Sequence, residues 1–148
     1  MHLNLQQPQT IKMETELNRS VALLIIRLIA GILFFFQAYD KIFKLGIKNV
    51  IWTFRESLSR TFLKGGILAS AVYASSYLEL GFGALLMTGI YKSYVLYILG
   101  IDLLIVALVF SLIKPMWDMQ FFFPRLILIT ILLLCPPEWD QLTMMCLF

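Results

Sequence analysis

Charged residues are scarce in this chain of 148 residues: only 14% are Asp, Glu, Lys or Arg, whereas 60% are hydrophobic. An average soluble domain has about 25% charged and about 45–50% apolar residues. With a mean hydropathy of +0.85, the chain has too few polar side chains to cover a water-soluble globule of this size. The composition excludes a soluble enzyme, a nucleic-acid-binding module and a disordered tail, and it predicts an integral membrane protein.

Histidine and cysteine are also scarce. The single histidine is His2, and the two cysteines, Cys135 and Cys146, do not form a Cys-x-x-Cys pair. A zinc site needs several such ligands brought together, so no metal site is predicted. The cysteines either form a disulfide, if they face an oxidising compartment, or are buried thiols. No Gly-rich phosphate loop or Ser/His/Asp set occurs, so no catalytic residue or cofactor is assigned from the residues.

Four apolar segments account for most of the chain. They cover about 21–39, 66–89, 94–113 and 119–135, and each is near the 20 residues that a membrane-spanning helix needs. Ser20 is expected to cap the first of them. The segments predict an all-α fold, an integral membrane four-helix antiparallel bundle, as a single domain over residues 1–148. No length remains for a separate catalytic domain.

The connection between the first two segments carries an amphipathic pattern at about 49–62. Its apolar residues recur at helical spacing: Val50, Ile51, Phe54, Leu58 and Phe62. This pattern favours an interfacial helix that lies in the headgroup plane with Trp52 as its anchor. The alternative is a solvated loop that contains a few apolar residues.

Four charged residues lie within the apolar segments: Arg27, Glu79, Asp102 and Arg125. Each costs roughly 2.5–3.5 kcal/mol at the centre of a span, and such residues usually face the interior and pair. With a rise of about 1.5 Å per residue, all four lie roughly 9–15 Å from the membrane surface that holds the N-terminus. Since two are basic and two acidic, a shared buried polar cluster is predicted.

Small residues surround Glu79 at helical spacings of three and four: Ser75, Ser76 and Gly83. This places the carboxylate on a closely packed face. Three further residues are candidates for hydrogen bonds to the cluster: Gln37, Tyr73 and Tyr77. Two interpretations remain open. Either the ion pairs hold the bundle together, or they form a polar pocket that binds a small molecule or quinone headgroup, or handles protons.

Two sequence stretches resemble the DoxX-like family of small four-span bacterial membrane proteins. They are RLIAGILFFFQAYDKIF at 27–43 and LELGFGALLMTG at 78–89, whose matching positions are Arg27, Gly31, Lys41, Glu79, Gly81 and Gly89. The resemblance adds Lys41 as a residue supporting the cluster. It implies a four-span fold and an association with redox proteins, including a subunit associated with thiosulfate:quinone oxidoreductase. Pro124-Arg125 and the Cys-Pro-Pro sequence depart from the family pattern.

Lysine and arginine are unevenly distributed between the two predicted membrane sides. The side with loops 40–66 and 114–118 holds seven, and the side with the termini holds three. The positive-inside rule then places both termini on the non-cytoplasmic side, of a bacterial cytoplasmic membrane if the resemblance holds. We expect an accessory or scaffolding subunit whose partners are the lipid bilayer and a membrane protein or a second copy, with no nucleic acid. The alternative is a redox-associated protein that binds quinone or another small lipophile.

Overall fold

The computed structural model describes residues 7–57, 66–111 and 122–140. These residues form five α-helices: α1 Gln7–Tyr39, α2 Ile47–Ser57, α3 Gly66–Thr88, α4 Lys92–Ser111 and α5 Phe122–Leu134. A π-helical turn, Asp40–Lys44, follows α1, and a 3-10 turn, Pro137–Trp139, follows α5. The described residues contain no strand, so the all-α prediction is confirmed for them.

Helix α3 ends within one residue of the predicted position because Gly89 reverses the chain. Gly89 has φ +76°, in the left-handed region where glycine is unstrained. Its N–H donates to the Leu85 carbonyl at 3.1 Å. Helix α4 then begins two residues before the predicted 94, and α5 lies within the predicted 119–135. The predicted boundaries at 113 and 119 fall outside the described residues.

Helix α1 is longer than predicted, since it already includes Gln7. No glycine or proline occurs between Gln9 and Ser20 to interrupt it. Pro8 lies in the first described turn, where its missing N–H costs little. The prediction that Ser20 caps the helix is therefore wrong: Ser20 lies within α1, and its hydroxyl donates to the Trp139 carbonyl at 2.8 Å.

The π-helical turn widens the end of α1 before the chain reverses. The N–H of Leu45 donates to the Asp40 carbonyl, five residues back, at 2.8 Å. Gly46, with φ +76°, then leads into α2. Ile47 is buried while Lys48, Trp52 and Arg55 are exposed. Helix α2 begins two residues before the predicted 49–62, and the apolar residues Val50 and Ile51 of that prediction are half-buried. Its location in the headgroup plane stays a prediction. Residues 58–62 lie outside the described residues.

The long helices pack in a ring: α1 and α4 each contact both α3 and α5. One apolar cluster fills the space between them: Leu23, Ala30, Phe34, Leu86, Val95, Leu96, Leu99, Leu103, Phe122, Ile129 and Leu132. On α1, α4 and α5 most of these side chains are three, four or seven residues apart, which places them on one face of each helix; α3 contributes Leu86.

The outer faces of these helices are apolar. Large side chains are exposed along α1, α4 and α5, for example Ile25 at 51%, Ile101 at 59% and Leu108 at 68%. By length and composition, two of the described helical segments are able to cross a membrane: Lys12–Lys44 and Lys92–Ser111. Helix α5 is apolar but has 13 described residues, and the 23 residues of α3 are interrupted by Glu79 and by hydroxyl side chains.

The closest helix contact joins α1 and α3 at two glycines. A Cβ on Gly83 would lie 2.8 Å from the Phe35 nitrogen, and a Cβ on Gly31 would lie 2.9 Å from the Gly83 carbonyl oxygen. Gly31 also faces Met87. Since residues later in α1 face residues earlier in α3, the two helices run antiparallel with their backbones in contact.

The glycine contact predicts a stability difference between two substitutions in α3. A Cβ on Gly81 would meet nothing within 4 Å, so Gly81→Ala shares the helix-propensity gain of Gly83→Ala without its overlap. We expect Gly83→Ala to lower the free energy of unfolding by about 1–3 kcal/mol relative to Gly81→Ala. Denaturant titration in mixed micelles measures the difference, and equal stability of the two variants would contradict the packing described.

Candidate functional site

Glu79 lies at the centre of a group of charged side chains between the helices. Its side chain is fully buried, and the Lys41 Nζ lies 2.6 Å from Glu79 Oε2. The Arg125 Nη1 lies 4.0 Å from Glu79 Oε1. Asp102, which is 5% exposed, accepts a hydrogen bond at 3.1 Å from the hydroxyl of Ser75, one helical turn before Glu79 in α3. We call Lys41, Glu79, Asp102 and Arg125 the interior cluster.

Helical spacing explains how three of these residues reach the interior. Each lies on the buried face of its own helix: Glu79 between Ser76 and Gly83, Asp102 beside Leu99 and Leu103, and Arg125 between Phe122 and Ile129. Lys41 belongs to the π-helical turn instead. This turn places its amine over Glu79, while 20% of the lysine side chain stays exposed.

The interior cluster balances its own charge with two cations and two carboxylates. One member comes from each of α3, α4 and α5, and the fourth from the turn after α1. The Arg125 guanidinium also lies over the Phe34 ring, 5.7 Å from its centroid. An unpaired buried charge costs several kcal/mol, so Glu79 holds the turn after α1 and helix α5 to α3 through its two cations. Asp102 connects α4 to α3 through the hydrogen bond from Ser75.

Arg27 does not belong to the interior cluster. Its Nη1 lies 2.7 Å from the Asp140 Oδ1, and both side chains are almost fully buried. The Lys92 Nζ lies 3.1 Å from the other Asp140 oxygen. We call Arg27, Lys92 and Asp140 the terminal cluster, because it joins α1, the start of α4 and the residue that follows the 3-10 turn.

The two clusters lie at different levels of the ring. Gly83 faces Phe35, so Glu79, one turn earlier in α3, lies near the level of Ala38. Arg27 is 11 residues before Ala38, or about 16 Å along the helix axis. The prediction placed all four charges at about the same depth in the membrane and assumed that the long arginine side chains span the remaining differences in depth. In the structure, Asp140 at Arg27's own level supplies a nearer counter-charge.

Asp140 is the functional residue that the sequence analysis missed. Pro136-Pro137 ends α5, and the acidic residues Glu138 and Asp140 follow on the side where Arg27 enters its segment. This order of residues is the sequence feature from which a pairing of Asp140 with Arg27 could have been predicted. Contacts of the neighbouring residue hold the segment in place: the Trp139 carbonyl accepts the Ser20 hydrogen bond, and the Arg19 guanidinium lies 4.9 Å from the Trp139 ring centroid.

The other predicted supporting residues lie away from the charges. Tyr73 and Tyr77 are 38% and 57% exposed, and Gln37 is half-buried. Within the described ranges, none of the three has a hydrogen bond to the interior cluster. The reason for Tyr77 is helical geometry: two residues from Glu79 is about 200° around the helix, so its ring points outward.

Metal ligands are not assembled in the part of the chain that the structure describes, where no group of three His, Cys, Asp or Glu side chains is placed to hold an ion. Cys135 is half-buried just after α5. Cys146 lies outside the described residues, so the choice between a disulfide and buried thiols remains a prediction.

Two buried polar atoms beside the interior cluster have unused hydrogen-bonding capacity. Among the residues that the structure describes, Glu79 Oε1 and Ser76 Oγ, one helical turn apart, have no hydrogen-bond partner, although Oε1 lies 4.0 Å from the Arg125 Nη1. Buried polar atoms are normally paired with protein or ordered water. These two atoms therefore have hydrogen-bonding capacity that the described side chains leave unused.

Comparison of the chain with known protein families, curated proteins and solved structures finds no match. The resemblance to the DoxX-like family remains a prediction.

The interior cluster predicts strong coupling between Glu79 and Lys41. Glu79→Gln removes the carboxylate that half-buried Lys41 and buried Arg125 share, so we expect a loss of about 3–5 kcal/mol in unfolding free energy. Because the two residues pair, Glu79→Gln combined with Lys41→Met should cost less than the sum of the single changes. Unfolding in mixed micelles measures all three variants. Lys44→Gln, which removes an exposed lysine from the same turn, is the control and should change nothing measurable; additive effects would contradict the pairing.

The terminal cluster predicts that Asp140 anchors the segment after α5. Asp140→Asn leaves the buried Arg27 and Lys92 without their shared carboxylate, and we expect a loss of about 3 kcal/mol. Limited proteolysis should also cleave residues 136–140 faster, because the segment detaches more often. Asp40→Asn, at an exposed ion pair, is the matched control, and an unchanged cleavage rate in Asp140→Asn would contradict the anchor.

Proposed function

We propose that this chain is a multi-pass integral membrane protein whose spans are α1, α3, α4 and α5. The observation that supports it is the inverted distribution of side chains. Glu79 and Arg27 are at most 1% exposed, whereas Leu108 and Leu134 are 68% and 78% exposed. Monomeric soluble proteins rarely expose large contiguous apolar surfaces, and lipid tails cover such surfaces at no cost.

The orientation proposed follows from the basic residues. Lys44, Lys48 and Arg55 are exposed at the turn after α1 and on α2, together with Trp52. We place this end on the cytoplasmic side and both termini on the other side, in a bacterial cytoplasmic membrane. Residues 58–62 of the proposed interfacial helix lie outside the described ranges.

We further propose a non-catalytic, DoxX-like accessory or scaffolding role in a larger membrane complex. The interior cluster supports it, because Lys41 and Arg125 pair with Glu79 and Asp102 bonds to α3 through Ser75, so these contacts join four elements. Such pairs specify which helices meet and hold a rigid frame. The outward apolar faces then offer contact area to another membrane protein or a second copy.

The second candidate is a redox-associated protein that binds quinone or another small lipophile. The observation that favours it is the pair of buried atoms, Glu79 Oε1 and Ser76 Oγ, that lack hydrogen-bond partners within the described ranges. A quinone carbonyl accepts a hydrogen bond from a serine hydroxyl, and a hydroquinone hydroxyl donates one to a carboxylate. Arg125 adds positive charge at the same place.

The scaffolding role predicts a change in assembly without loss of membrane location. After mild-detergent purification, mass spectrometry should detect a defined set of co-purifying chains with the parent protein and with Lys44→Gln. Glu79→Gln should retain fewer of them, since the frame that holds the contact surface loosens. The variant should still resist carbonate extraction from membranes, because its outer apolar faces are unchanged.

Two outcomes would contradict the scaffolding role. One is purification of the parent as a single chain with a stoichiometric quinone that Ser76→Ala releases, which would favour the second candidate. The other is carbonate extraction of the parent protein, which would overturn the membrane location itself.

A further inference from the structure

A cleft lies beside the terminal cluster, where the residues after α5 cross α1. Its volume is about 240 Å³, and it is lined by Glu16, Arg19, Ser20, Glu138 and Trp139. It is open on one side and mixes charged groups with the face of an indole. None of its lining residues belongs to the interior cluster.

The charges of the cleft are not neutralised by the described part of the chain. Neither Glu16 nor Glu138 has an ion pair there, and the Arg19 guanidinium is placed over the Trp139 ring. The lining presents two carboxylates and one guanidinium. A complementary ligand therefore carries a cationic group for the carboxylates together with an anionic group for Arg19.

The cleft lies where the polar part of α1 ends. Residues Lys12–Arg19 are polar or exposed along their length, and the apolar face of α1 starts at Val21. The 33 residues of α1 span about 50 Å, against about 30 Å for a hydrocarbon core. In the membrane location proposed above, Arg19, Ser20 and Trp139 lie at the level of the lipid headgroups, where tryptophan is enriched.

We propose that this cleft binds the phosphoethanolamine headgroup of a zwitterionic phospholipid. The primary ammonium lies between Glu16 and Glu138, and the phosphate accepts hydrogen bonds from Arg19. The acyl chains continue along the apolar face of α1. This inference rests on the proposed membrane location but not on the scaffolding role or on quinone binding.

The same chemistry disfavours other common headgroups. Phosphatidylglycerol has no ammonium to place between the carboxylates of Glu16 and Glu138. Phosphocholine has a cationic group, but its methylated nitrogen has no N–H to donate to Glu16 or Glu138. The cleft should therefore retain phosphatidylethanolamine over both.

The test measures which lipid remains with the protein. The full chain is reconstituted with equal amounts of phosphatidylethanolamine, phosphatidylcholine and phosphatidylglycerol, re-extracted in mild detergent, and analysed by mass spectrometry. We expect phosphatidylethanolamine to be enriched in the parent. In Glu16→Gln combined with Glu138→Gln, the enrichment should fall by about two- to fivefold, as for partly exposed charge pairs.

Each substitution in the cleft has a control, which is the same type of substitution at a residue of α1 outside the cleft. Glu14→Gln removes an exposed carboxylate from the same helix without touching the cleft, and it should keep the full enrichment. Arg19→Gln should lose phosphatidylethanolamine, whereas Lys12→Gln should not. Because these residues are exposed, the variants should fold, and carbonate extraction of the same membranes checks this separately.

Unchanged enrichment in the double variant would overturn the inference, and so would a preference for phosphatidylglycerol in the parent. If the protein still resists carbonate extraction in that case, the proposed membrane location stands. Release of the parent by carbonate would overturn both. Soluble phosphoethanolamine retained as strongly as the lipid would overturn the lipid as the occupant.

Discussion

The buried carboxylate of Glu79 is the constraint on which the rest of the structure depends. A carboxylate without solvent must have positive charge beside it, since the cost of burying it alone exceeds what packing returns. Lys41 supplies that charge at 2.6 Å, and Arg125 adds a second cation from α5. The positions of the turn after α1 and of α5 relative to α3 follow from this requirement.

The helix contacts are consistent with the same constraint. Gly31 and Gly83 let the backbones of α1 and α3 touch, which brings the end of α1 close enough for Lys41 to reach Glu79. Phe34, fully buried, lies under the Arg125 guanidinium and fills the space beside the charges. Apolar packing and ion pairing therefore support the same arrangement of helices, as expected where local and long-range preferences agree.

The charges divide into two groups at opposite ends of α1's apolar stretch. The interior cluster joins four elements, and the terminal cluster holds the segment after α5 across the start of the helices. Asp140, whose side chain is 6% exposed, is the carboxylate that pairs with both cations of the terminal cluster. Because each group has its own counter-charges, a change in one should leave the other largely intact, as is usual for sites without shared partners.

The sequence by itself determined the helices and the faces of its charged residues. Long apolar segments, two of them ended by Gly89 and by Pro136-Pro137, predict the helices. The helical period places Glu79, Asp102 and Arg125 on packed faces. Both features are readable from the sequence because they depend on residues only a few positions apart. Only the tertiary structure decided the partners. Arg27 pairs with Asp140, 113 residues away. Lys41 reaches Glu79 because it lies in a π-helical turn, which the local sequence pattern does not predict. Which charges pair depends on the distance and the axial offset between helices that are far apart in sequence. Estimating the membrane depth of each residue from its position in its own segment does not give these quantities.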